Sequence, residues 1–460
     1  MKRLLKGGTV VMETYHEKLD VLMDDESGTI CQVAEEIVPE EGAEVVDVTG
    51  KLLFPGFIDA HTHFDLEVSG TVTADDFETG TKAAIAGGTT MIIDFATQNK
   101  GETLHEALEN WHKKADDKSS CDYGFHMAIS DWNESVSQEL EELVAGGITS
   151  FKVYMTYDNM VLDDKEIYQV LKRLKEVGGI TGVHCENSGL IKALIEEQKA
   201  KGNFAPSAHP KTRPDLVEAE AVSRLLKIAD LAKAPVIVVH LSSGAGYQEV
   251  KYARERGQEV YLETCPQYLL MDDSYYEKPD FEGAKYVCSP PLRKTTDQTR
   301  LWNALRKNNI QTVSTDHCSF TLKQKEAGID DFTKIPNGMP GVESRPVLFY
   351  TYGVLEKDLS LEQMCRMLSA NPAKLYGVYP KKGCIKPGSD ADIVVWDPDA
   401  LWVMNKENQH ANTDYCPFEG TEVKGIAGQV YLRGNLVAEN GEIRKEHAGQ
   451  YIKRQKYMQF

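Results

Sequence analysis

Two histidines separated by one residue end an apolar, strand-like stretch of the chain, Phe54-Pro55-Gly56-Phe57-Ile58-Asp59-Ala60-His61-Thr62-His63. In an extended chain, residues i and i+2 point to the same side, so both imidazoles can bind one metal ion. A single His-x-His pair is weak evidence, because many buried histidines are hydrogen-bonded core residues. The pair therefore needs support from other potential ligands.

Three further potential ligands, His184, His240 and Asp316, each end an apolar run that is rich in β-branched residues. Barrel enzymes place their sites at the carboxyl ends of such strands. An acidic residue there is costly unless it is paired or metal-bound, so we expect Asp316 to be both a ligand and a general base. Four of the 12 histidines lie at the ends of predicted strands, which favours a metal centre over the alternative of four unrelated core histidines. We expect His317 to support the site rather than to react.

A lysine inside an apolar strand needs an explanation, and Lys152 lies within the run Ile148 to Met155. A neutral amine at pH 7 costs roughly 4 to 5 kcal/mol against a reference pKa near 10.4. Such an amine can react with carbon dioxide to give a carbamate, whose two oxygens can each bind one metal ion. The alternative is an ammonium that reaches water beyond the strand. Tyr157, just past this strand, either donates to a developing oxyanion or simply packs.

Short β-branched runs alternate with long amphipathic stretches through the middle of the chain, which indicates an α/β fold with a parallel sheet. The helical pattern is clearest at Ser137 to Ala145, Asp164 to Glu176 and Asp215 to Lys233. The predicted strands are Leu53 to Asp59, Thr89 to Phe95, Tyr123 to Ile129, Thr149 to Met155, Thr181 to His184, Pro235 to His240, Glu259 to Cys265 and Gln311 to Asp316. Eight strands fit a (β/α)₈ TIM barrel or a doubly wound open sheet, and ligands at several strand ends favour the barrel.

Both chain ends carry short alternating strands, so we predict that residues 1–52 and 379–460 form one β-sandwich domain beside a catalytic barrel of residues 53–378. The polar stretch 323–334, before Pro336-Asn337-Gly338, is predicted to be a long loop on the active face. Gly244-Ala245-Gly246 follows a strand, but Glu249 stands where a dinucleotide-binding fingerprint has glycine, so a nucleotide loop is not expected.

The charge balance and the cysteines bear on partners and compartment. The chain has 71 acidic and 51 basic residues, a formal charge of −20, which argues against nucleic acid or an anionic membrane surface as a partner. Nine cysteines without a C-x-x-C pair indicate reduced thiols. The N-terminal segment has no signal-peptide pattern, so we expect a cytoplasmic enzyme without a membrane anchor.

Several longer motifs together resemble one family, the cyclic amidohydrolases, and within it the hydantoinases and dihydropyrimidinases. The resemblance runs from about residue 2 to residue 457. Its most specific stretches are Phe54-Pro55-Gly56 with His61-Thr62-His63, Thr149 to Met155, Val183-His184-Cys185-Glu186-Asn187, Glu263-Thr264-Cys265-Pro266-Gln267-Tyr268, Ser289-Pro290-Pro291-Leu292-Arg293 and Pro336-Asn337-Gly338.

The resemblance implies a barrel with a β-sandwich and a binuclear centre, with zinc as the usual ion. It implies that one metal is held by His61, His63 and Asp316, and the other by His184 and His240, with Lys152 carboxylated to N6-carboxylysine as the bridge. It also implies that Tyr157 stabilises the oxyanion, and that backbone groups of Ser289 and Asn337 hold a small cyclic amide or ureide. The expected products are N-carbamoyl amino acids.

The resemblance further implies a homotetramer, or a homodimer, supported by the C-terminal tail at about 440–460. Allantoinases and dihydroorotases share the His pair and the barrel, but Met155-Thr156-Tyr157 favours the hydantoinase branch. Non-catalytic scaffold relatives have lost metal ligands, whereas all six positions persist here. The chain departs from many D-hydantoinases at Asp65 to Gly70 and at Asp158 to Asp164, which leaves the exocyclic substituent and the stereochemical preference open.

Overall fold

A closed barrel of eight parallel strands forms the centre of the computed structural model, which describes all residues from 1 to 460. Its strands are Phe57–Thr62, Thr89–Thr97, Asp122–Ala128, Ser150–Tyr154, Ile180–His184, Val236–Val238, Val260–Thr264 and Thr312–Val313. Each strand pairs with its neighbour in chain order, and a parallel bridge between Thr62 and His317 joins the last strand region to the first. The barrel prediction is confirmed, and the open doubly wound sheet is excluded.

The first predicted strand was wrong in one respect, because Leu53 to Asp59 is two strands. Leu52–Pro55 belongs to a flanking sheet, where Phe54 lies opposite Val394, and the barrel strand begins at Phe57. Pro55 has no N–H to donate to a ladder. A Cβ on Gly56 would lie 2.0 Å from the Thr90 hydroxyl oxygen, so the chain can cross between the two sheets here only with glycine.

Helices pack around the barrel, as the amphipathic patterns predict. The longer ones are Phe77–Ala86, Leu104–Ala115, Glu134–Gly146, Asp164–Val177, Ser188–Ala200, Asp215–Ala232, Gly244–Glu255 and Thr295–Arg306. Asp164–Val177 begins with a capping box between Asp163 and Glu166, buries Leu171 on its inner face, and ends at Gly178 with φ 90°. Local capping and one apolar face thus account for this element.

Shorter helical turns occupy the connections and the segment after the eighth strand. The α-helical ones are His209–Thr212, Pro266–Leu270, Leu322–Lys325, Arg345–Leu348, Leu361–Cys365 and Asn371–Leu375, with π-helical Phe349–Leu355 and Arg366–Ala370. The 3₁₀ turns are Pro206–Ala208, Asp273–Glu277, Glu282–Tyr286, Glu326–Gly328, Phe332–Lys334 and Lys406–Asn408. The prediction of one long loop at 323–334 was therefore wrong, because a capping box between Thr321 and Gln324 starts a helix there.

Two antiparallel-rich sheets lie beside the barrel, and together they take strands from both chain ends, as predicted. The four-stranded sheet contains Lys2–Lys6, Asp20–Asp24, Thr29–Ala34 and Glu44–Asp47. The seven-stranded sheet contains Thr9–Val11, His16–Lys18, Leu52–Pro55, Ile393–Val403, Glu422–Leu432, Asn435–Glu439 and Glu442–Ile443. Leu5, Val21, Leu53 and Ile393 share a buried cluster between these sheets. The domain limits at residues 52 and 379 stay a prediction.

A small hairpin and the C-terminal tail complete the chain. The hairpin pairs Glu67–Val68 with Thr71–Val72 at the mouth of the barrel. The tail runs along the opposite, amino-terminal end, where Arg454 donates from Nη1 to the Ser150 hydroxyl at 2.6 Å. No helix combines the length and the apolar character that crossing a membrane requires.

Candidate metal centre and substrate cavity

One cavity of about 550 Å³ opens at the carboxyl end of the barrel. All nine predicted site residues line it, namely His61, His63, Lys152, Tyr157, His184, His240, Ser289, Asp316 and Asn337. They come from at least six separate segments of the chain. The fold therefore brings the whole predicted set together, and what remains is whether its geometry suits metal ions and a substrate.

Three of these residues form the tightest cluster. Asp316 Oδ1 lies 3.2 Å from His61 Nε2 and 3.1 Å from His63 Nε2. The ligand atoms of the three residues all lie within 4.8 Å of one another. Two imidazole nitrogens and a carboxylate oxygen that converge in this way are a donor set for a divalent transition-metal ion.

The second predicted pair lies beside the first cluster. The rings of His184 and His240 are 4.6 Å apart between centroids, and the His240 ring is 5.4 Å from that of His61. The two pairs are thus adjacent, but His184 and His240 bring no carboxylate of their own into the cavity. A second cation at this pair would need ligands beyond these two imidazoles.

Lys152 lies close to both pairs, since its charge contributes to lowering the pKa values of His184 and His240. Its side chain is 1% exposed, and Nζ is 3.3 Å from His61 Nε2 and 4.7 Å from the centre of the Phe95 ring. Burial lowers the pKa of Lys152 to about 8, although Asp316 and Glu263 oppose the change. No carboxylate lies within ion-pair distance of Nζ. A buried amine of low pKa, without a counter-ion, is suited to carbamate formation.

Two buried carboxylates orient the histidines from behind. Glu263 Oε1 accepts a hydrogen bond from His61 Nδ1 at 2.6 Å, which leaves His61 Nε2 free toward the cavity. Glu186 Oε2 accepts from His184 Nε2 at 2.7 Å, which leaves the other nitrogen, Nδ1, free. Each carboxylate fixes one tautomer and raises the basicity of the remaining nitrogen.

Sequence reasoning missed these two carboxylates as functional residues, although both stand in motifs quoted for the resemblance. Both are fully buried. Glu263 occupies an apolar strand in the same way as Asp316, and that pattern was the available signal. Arg213 forms an ion pair with Glu186, and together with His184 it holds the pKa of Glu186 at about 2 despite burial.

Burial sets the charge of most of the imidazoles. It lowers the pKa of His63 to about 4, and it also lowers the pKa values of His184 and His240. Although burial raises the pKa of Asp316, the imidazoles of His61 and His63 hold it well below its ordinary value. The cavity therefore offers neutral imidazoles and an ionised carboxylate.

His61 is the exception among the histidines. Burial and Lys152 both lower its pKa, but the carboxylates of Glu263 and Asp316 outweigh them and raise it. The two carboxylates thus attract positive charge to the position between His61 and Asp316. A cation at that position would take the place of a proton.

The buried nitrogens provide a test of whether metal ions fit. Nδ1 of His63 and Nδ1 of His240 have no hydrogen-bond partner in the protein. His63 has one polar partner, the Asp316 carboxylate at 3.1 Å from its Nε2, so protein hydrogen bonds leave both buried rings incompletely satisfied and able to bind a further group. Together with the convergent ligand atoms, this shows that the residues fit a metal centre.

Three site residues have left-handed backbone conformations, with φ 72° at Tyr157, 39° at His240 and 54° at Asp316. Such values are uncommon outside glycine and occur disproportionately at functional sites. The Tyr157 ring lies 5.2 Å from the His184 ring, and the Arg213 guanidinium lies 5.6 Å from the Tyr157 ring centre. Burial raises the pKa of Tyr157, so its phenol remains a hydrogen-bond donor.

Ser289 and Asn337 lie next to each other on the cavity wall. Asn337 Nδ2 donates to the Ser289 hydroxyl at 3.0 Å. His317 does not face the cavity, because its Nε2 bonds to Asp75 at 2.9 Å and its Nδ1 accepts the backbone N–H of Gly341 at 3.1 Å. The expectation that His317 has a supporting role agrees with these contacts.

The departures noted in the sequence lie at the mouth of the cavity. Leu66 to Ser69 form one side, and Asn159 and Met160 form another. Lys100, which also lines the mouth, donates to the Asp158 carbonyl at 3.2 Å. This rim combines apolar and charged groups, away from the proposed metal ligands.

Comparisons with known proteins agree with this geometry. A model of the amidohydrolase family matches residues 52–437. The chain is 46% identical to a D-hydantoinase of Geobacillus stearothermophilus, covering 99% of this chain and 97% of the relative. It is 42% identical to a dihydropyrimidinase of Dictyostelium discoideum, covering 94% of this chain and 87% of the relative.

The fold is similar to that of a solved structure, the dihydropyrimidinase from Brevibacillus agri. The TM-score is 0.98 at 45% sequence identity, and the match covers 100% of both chains. The similarity therefore includes the barrel, the flanking sheets and the tail, and it is not confined to the motifs of the cavity.

Proposed function

The chain belongs to the amidohydrolase family, and from this premise we propose that it hydrolyses the ring amide bond of hydantoins or dihydropyrimidines. Water is added across the C–N bond, so that the carbonyl carbon becomes a carboxylate and the ring nitrogen gains a proton. The product is an N-carbamoyl amino acid. The observation that carries the proposal is the single cavity that gathers six potential metal ligands, Tyr157, Ser289 and Asn337.

Two divalent metal ions are part of the proposal. His61, His63 and Asp316 would hold one, and His184 and His240 would hold the other. When bound, such ions polarise a carbonyl and can lower the pKa of a coordinated water from 15.7 to about 7. Zinc is the proposed ion, because imidazole and carboxylate donors suit it.

Lys152, once carboxylated, would supply the anionic ligand that the His184 and His240 pair lacks. The neutral amine adds to carbon dioxide and releases a proton, which gives N6-carboxylysine with two oxygens. Support comes from the burial of Nζ, its 3.3 Å distance to His61 Nε2 and its lowered pKa. An unmodified ammonium would instead place a positive charge among the metal ligands.

Asp316 acts as the general base and then as the proton carrier. It accepts a proton from the attacking water and delivers it to the leaving ring nitrogen. Its carboxylate oxygen lies 3.1 to 3.2 Å from the imidazoles of His61 and His63, and all three residues line the cavity. Its ionised state in the resting site agrees with the role of base.

Tyr157 stabilises the oxyanion, and the wall formed by Ser289 and Asn337 holds the cyclic amide. The phenol keeps its proton because its pKa is raised, so it can donate to the oxygen that becomes negative. Backbone groups of Ser289 and Asn337 then fix the ring by hydrogen bonds. The contact between the side chains of Ser289 and Asn337 keeps these two backbones adjacent.

The proposal extends to the compartment and the assembly. We place the enzyme in the cytoplasm as a homotetramer, or a homodimer, with the tail at about 440–460 contributing contacts. All nine cysteines are free and eight of them are buried, which suits a reducing compartment. Size-exclusion chromatography with light scattering of the full chain would test the assembly.

The test of the reaction is a set of initial rates on dihydrouracil, hydantoin, phenylhydantoin, allantoin and dihydroorotate with zinc-loaded protein. We expect turnover of at least one of the first three, with an N-carbamoyl product. Hydrolysis of allantoin or dihydroorotate alone would move the chain to another branch of the family. No turnover of any of the five would overturn the proposed function.

A further inference from the structure

A second buried lysine lies behind the substrate wall and has no part in the reaction. Lys325 is 0% exposed, and its ammonium makes three hydrogen bonds, all to backbone carbonyls. Nζ donates to Val287 O at 3.2 Å, to Pro336 O at 2.9 Å and to Gly338 O at 3.0 Å. The three N–H groups of the ammonium thus match three acceptors.

The three carbonyls belong to the two segments that form the substrate wall. Pro336 and Gly338 are the immediate neighbours of Asn337, and Val287 stands two residues before Ser289. Nζ of Lys325 therefore joins, through hydrogen bonds, the segments that carry Asn337 and Ser289. Both of those residues line the cavity, whereas Lys325 does not.

Further contacts around Lys325 hold the two segments at a fixed position relative to each other. The Gly338 N–H also donates to Val287 O at 2.9 Å, so the same carbonyl joins the two segments twice. Gly338 has φ 151°, and a Cβ there would meet Cys318 O at 2.1 Å, so the segment is held tightly against the stretch of chain that follows Asp316. A small shift of Lys325 would move the wall relative to the metal ligands.

A charged group at this place is costly, which argues against simple packing. No carboxylate forms an ion pair with Lys325, and the nearest aromatic face, that of Phe320, lies 5.8 Å from Nζ. Burial lowers the pKa of Lys325 to about 7. An apolar side chain of the same length would fill this volume without the desolvation cost. The buried lysine is therefore best explained by its bonds to the two segments.

We propose that Lys325 is a positioning residue for substrate binding, which holds the backbones of Ser289 and Asn337 at the spacing that a cyclic amide requires. The inference rests on the proposed function, since it assigns the wall to the substrate. It predicts an effect on ground-state binding and little effect on the chemical step. Metal binding is unaffected, because Lys325 touches no proposed ligand.

The test compares Lys325→Met with the matched control Lys323→Met. Lys323 is on the same short helix, but its side chain is 86% exposed and pairs with Glu326. With whichever of dihydrouracil, hydantoin and phenylhydantoin the wild type hydrolyses fastest, we expect Lys325→Met to raise KM about tenfold, equivalent to about 1.4 kcal/mol, with kcat and zinc content near those of the wild type. The Lys323→Met enzyme should behave as the wild type.

Hydrogen exchange of the segment 336–339 provides a readout that does not depend on activity. We expect faster exchange there in Lys325→Met, because the Pro336 and Gly338 carbonyls lose their shared donor. If Lys325→Met does not fold, Lys325→Gln keeps a donor, and an intermediate rise in KM is expected.

Three results would overturn the inference. They are an unchanged KM in a folded Lys325→Met protein, a fall in kcat and zinc content with KM unchanged, and unaltered exchange at 336–339. An inactive wild-type protein would instead refute the proposed function, and the exchange measurement would still decide whether Lys325 tethers the two segments.

Discussion

Glu263 is expected to control metal affinity without contacting a metal, and Glu263→Gln tests this directly. Its Oε1 accepts from His61 Nδ1 at 2.6 Å and from the His240 backbone N–H at 3.2 Å, so one carboxylate serves two proposed ligands. Oε2 has no hydrogen-bond partner. The substitution keeps an acceptor oxygen and the volume of the side chain, and it removes the negative charge that makes His61 Nε2 basic.

The magnitude follows from the number and type of these bonds. Carboxylates that support a metal-bound histidine are typically worth 10- to 100-fold in metal affinity. We therefore expect the zinc dissociation constant of Glu263→Gln to rise by about 10- to 100-fold, or about 1.4 to 2.7 kcal/mol. At saturating zinc the kcat should recover most of its value, since no group that touches substrate has changed.

The assay is competition for zinc between apoprotein and a chromophoric chelator of known affinity, followed by rates at saturating zinc. Glu259→Gln is the matched control, because Glu259 lies just before the same strand at the opposite end of the barrel, where it accepts from the Tyr261 hydroxyl at 2.7 Å. Equal zinc affinity in wild type and Glu263→Gln would refute the reasoning. So would an equal loss of affinity in both variants.

Three further substitutions give distinct outcomes. Tyr157→Phe should lower kcat about 10²- to 10³-fold with zinc content unchanged, because it removes one oxyanion donor, and loss of zinc would contradict that role. Lys152→Ala should abolish turnover and bind fewer metal ions by elemental analysis, and surviving activity would exclude a bridging carbamate. Lys382→Met should destabilise the protein by about 3–5 kcal/mol in denaturant unfolding, because Asp122 and two further buried carboxylates lose their shared cation. Although burial lowers the pKa of Lys382, these carboxylates raise it, so its stabilisation is present at neutral pH and lost only well above pH 10. The exposed neighbour Lys381 provides the control Lys381→Met, for which no loss is expected.

The proposed metal ligands could be predicted because each ends or interrupts an apolar strand. His184, His240 and Asp316 stand out from β-branched runs. Because the carboxyl ends of barrel strands all meet at one face, the three residues are expected on that face. Lys152 stands out for the same reason, as a charged residue within an apolar strand. Local pattern and a general rule of topology were sufficient for these residues.

The supporting groups could not be assigned in this way, because their partners are far away in the chain. Glu263 meets His61 across 202 positions, and Lys325 meets Val287 across 38. Sequence can mark such residues as buried charges, but the partner that satisfies the charge depends on tertiary packing. The segment around Lys325 was also predicted to be a loop, which gave no reason to expect a buried lysine in it.

The boundary of the first strand was missed for a different reason. Leu52–Pro55 and Phe57–Thr62 are both apolar and contiguous, so periodicity does not separate a sandwich strand from a barrel strand. The separation depends on Pro55 and on the close approach at Gly56, which only the packed structure reveals.

The most direct test of the central claim measures the metal content of the purified chain and asks whether hydrolysis depends on that metal. Elemental analysis should give two divalent ions per chain. Chelation should abolish opening of the cyclic amide, and zinc with bicarbonate should restore it. Protein that holds well under one metal ion per chain and stays inactive after zinc addition would contradict the claim, as would full activity after the metal is removed.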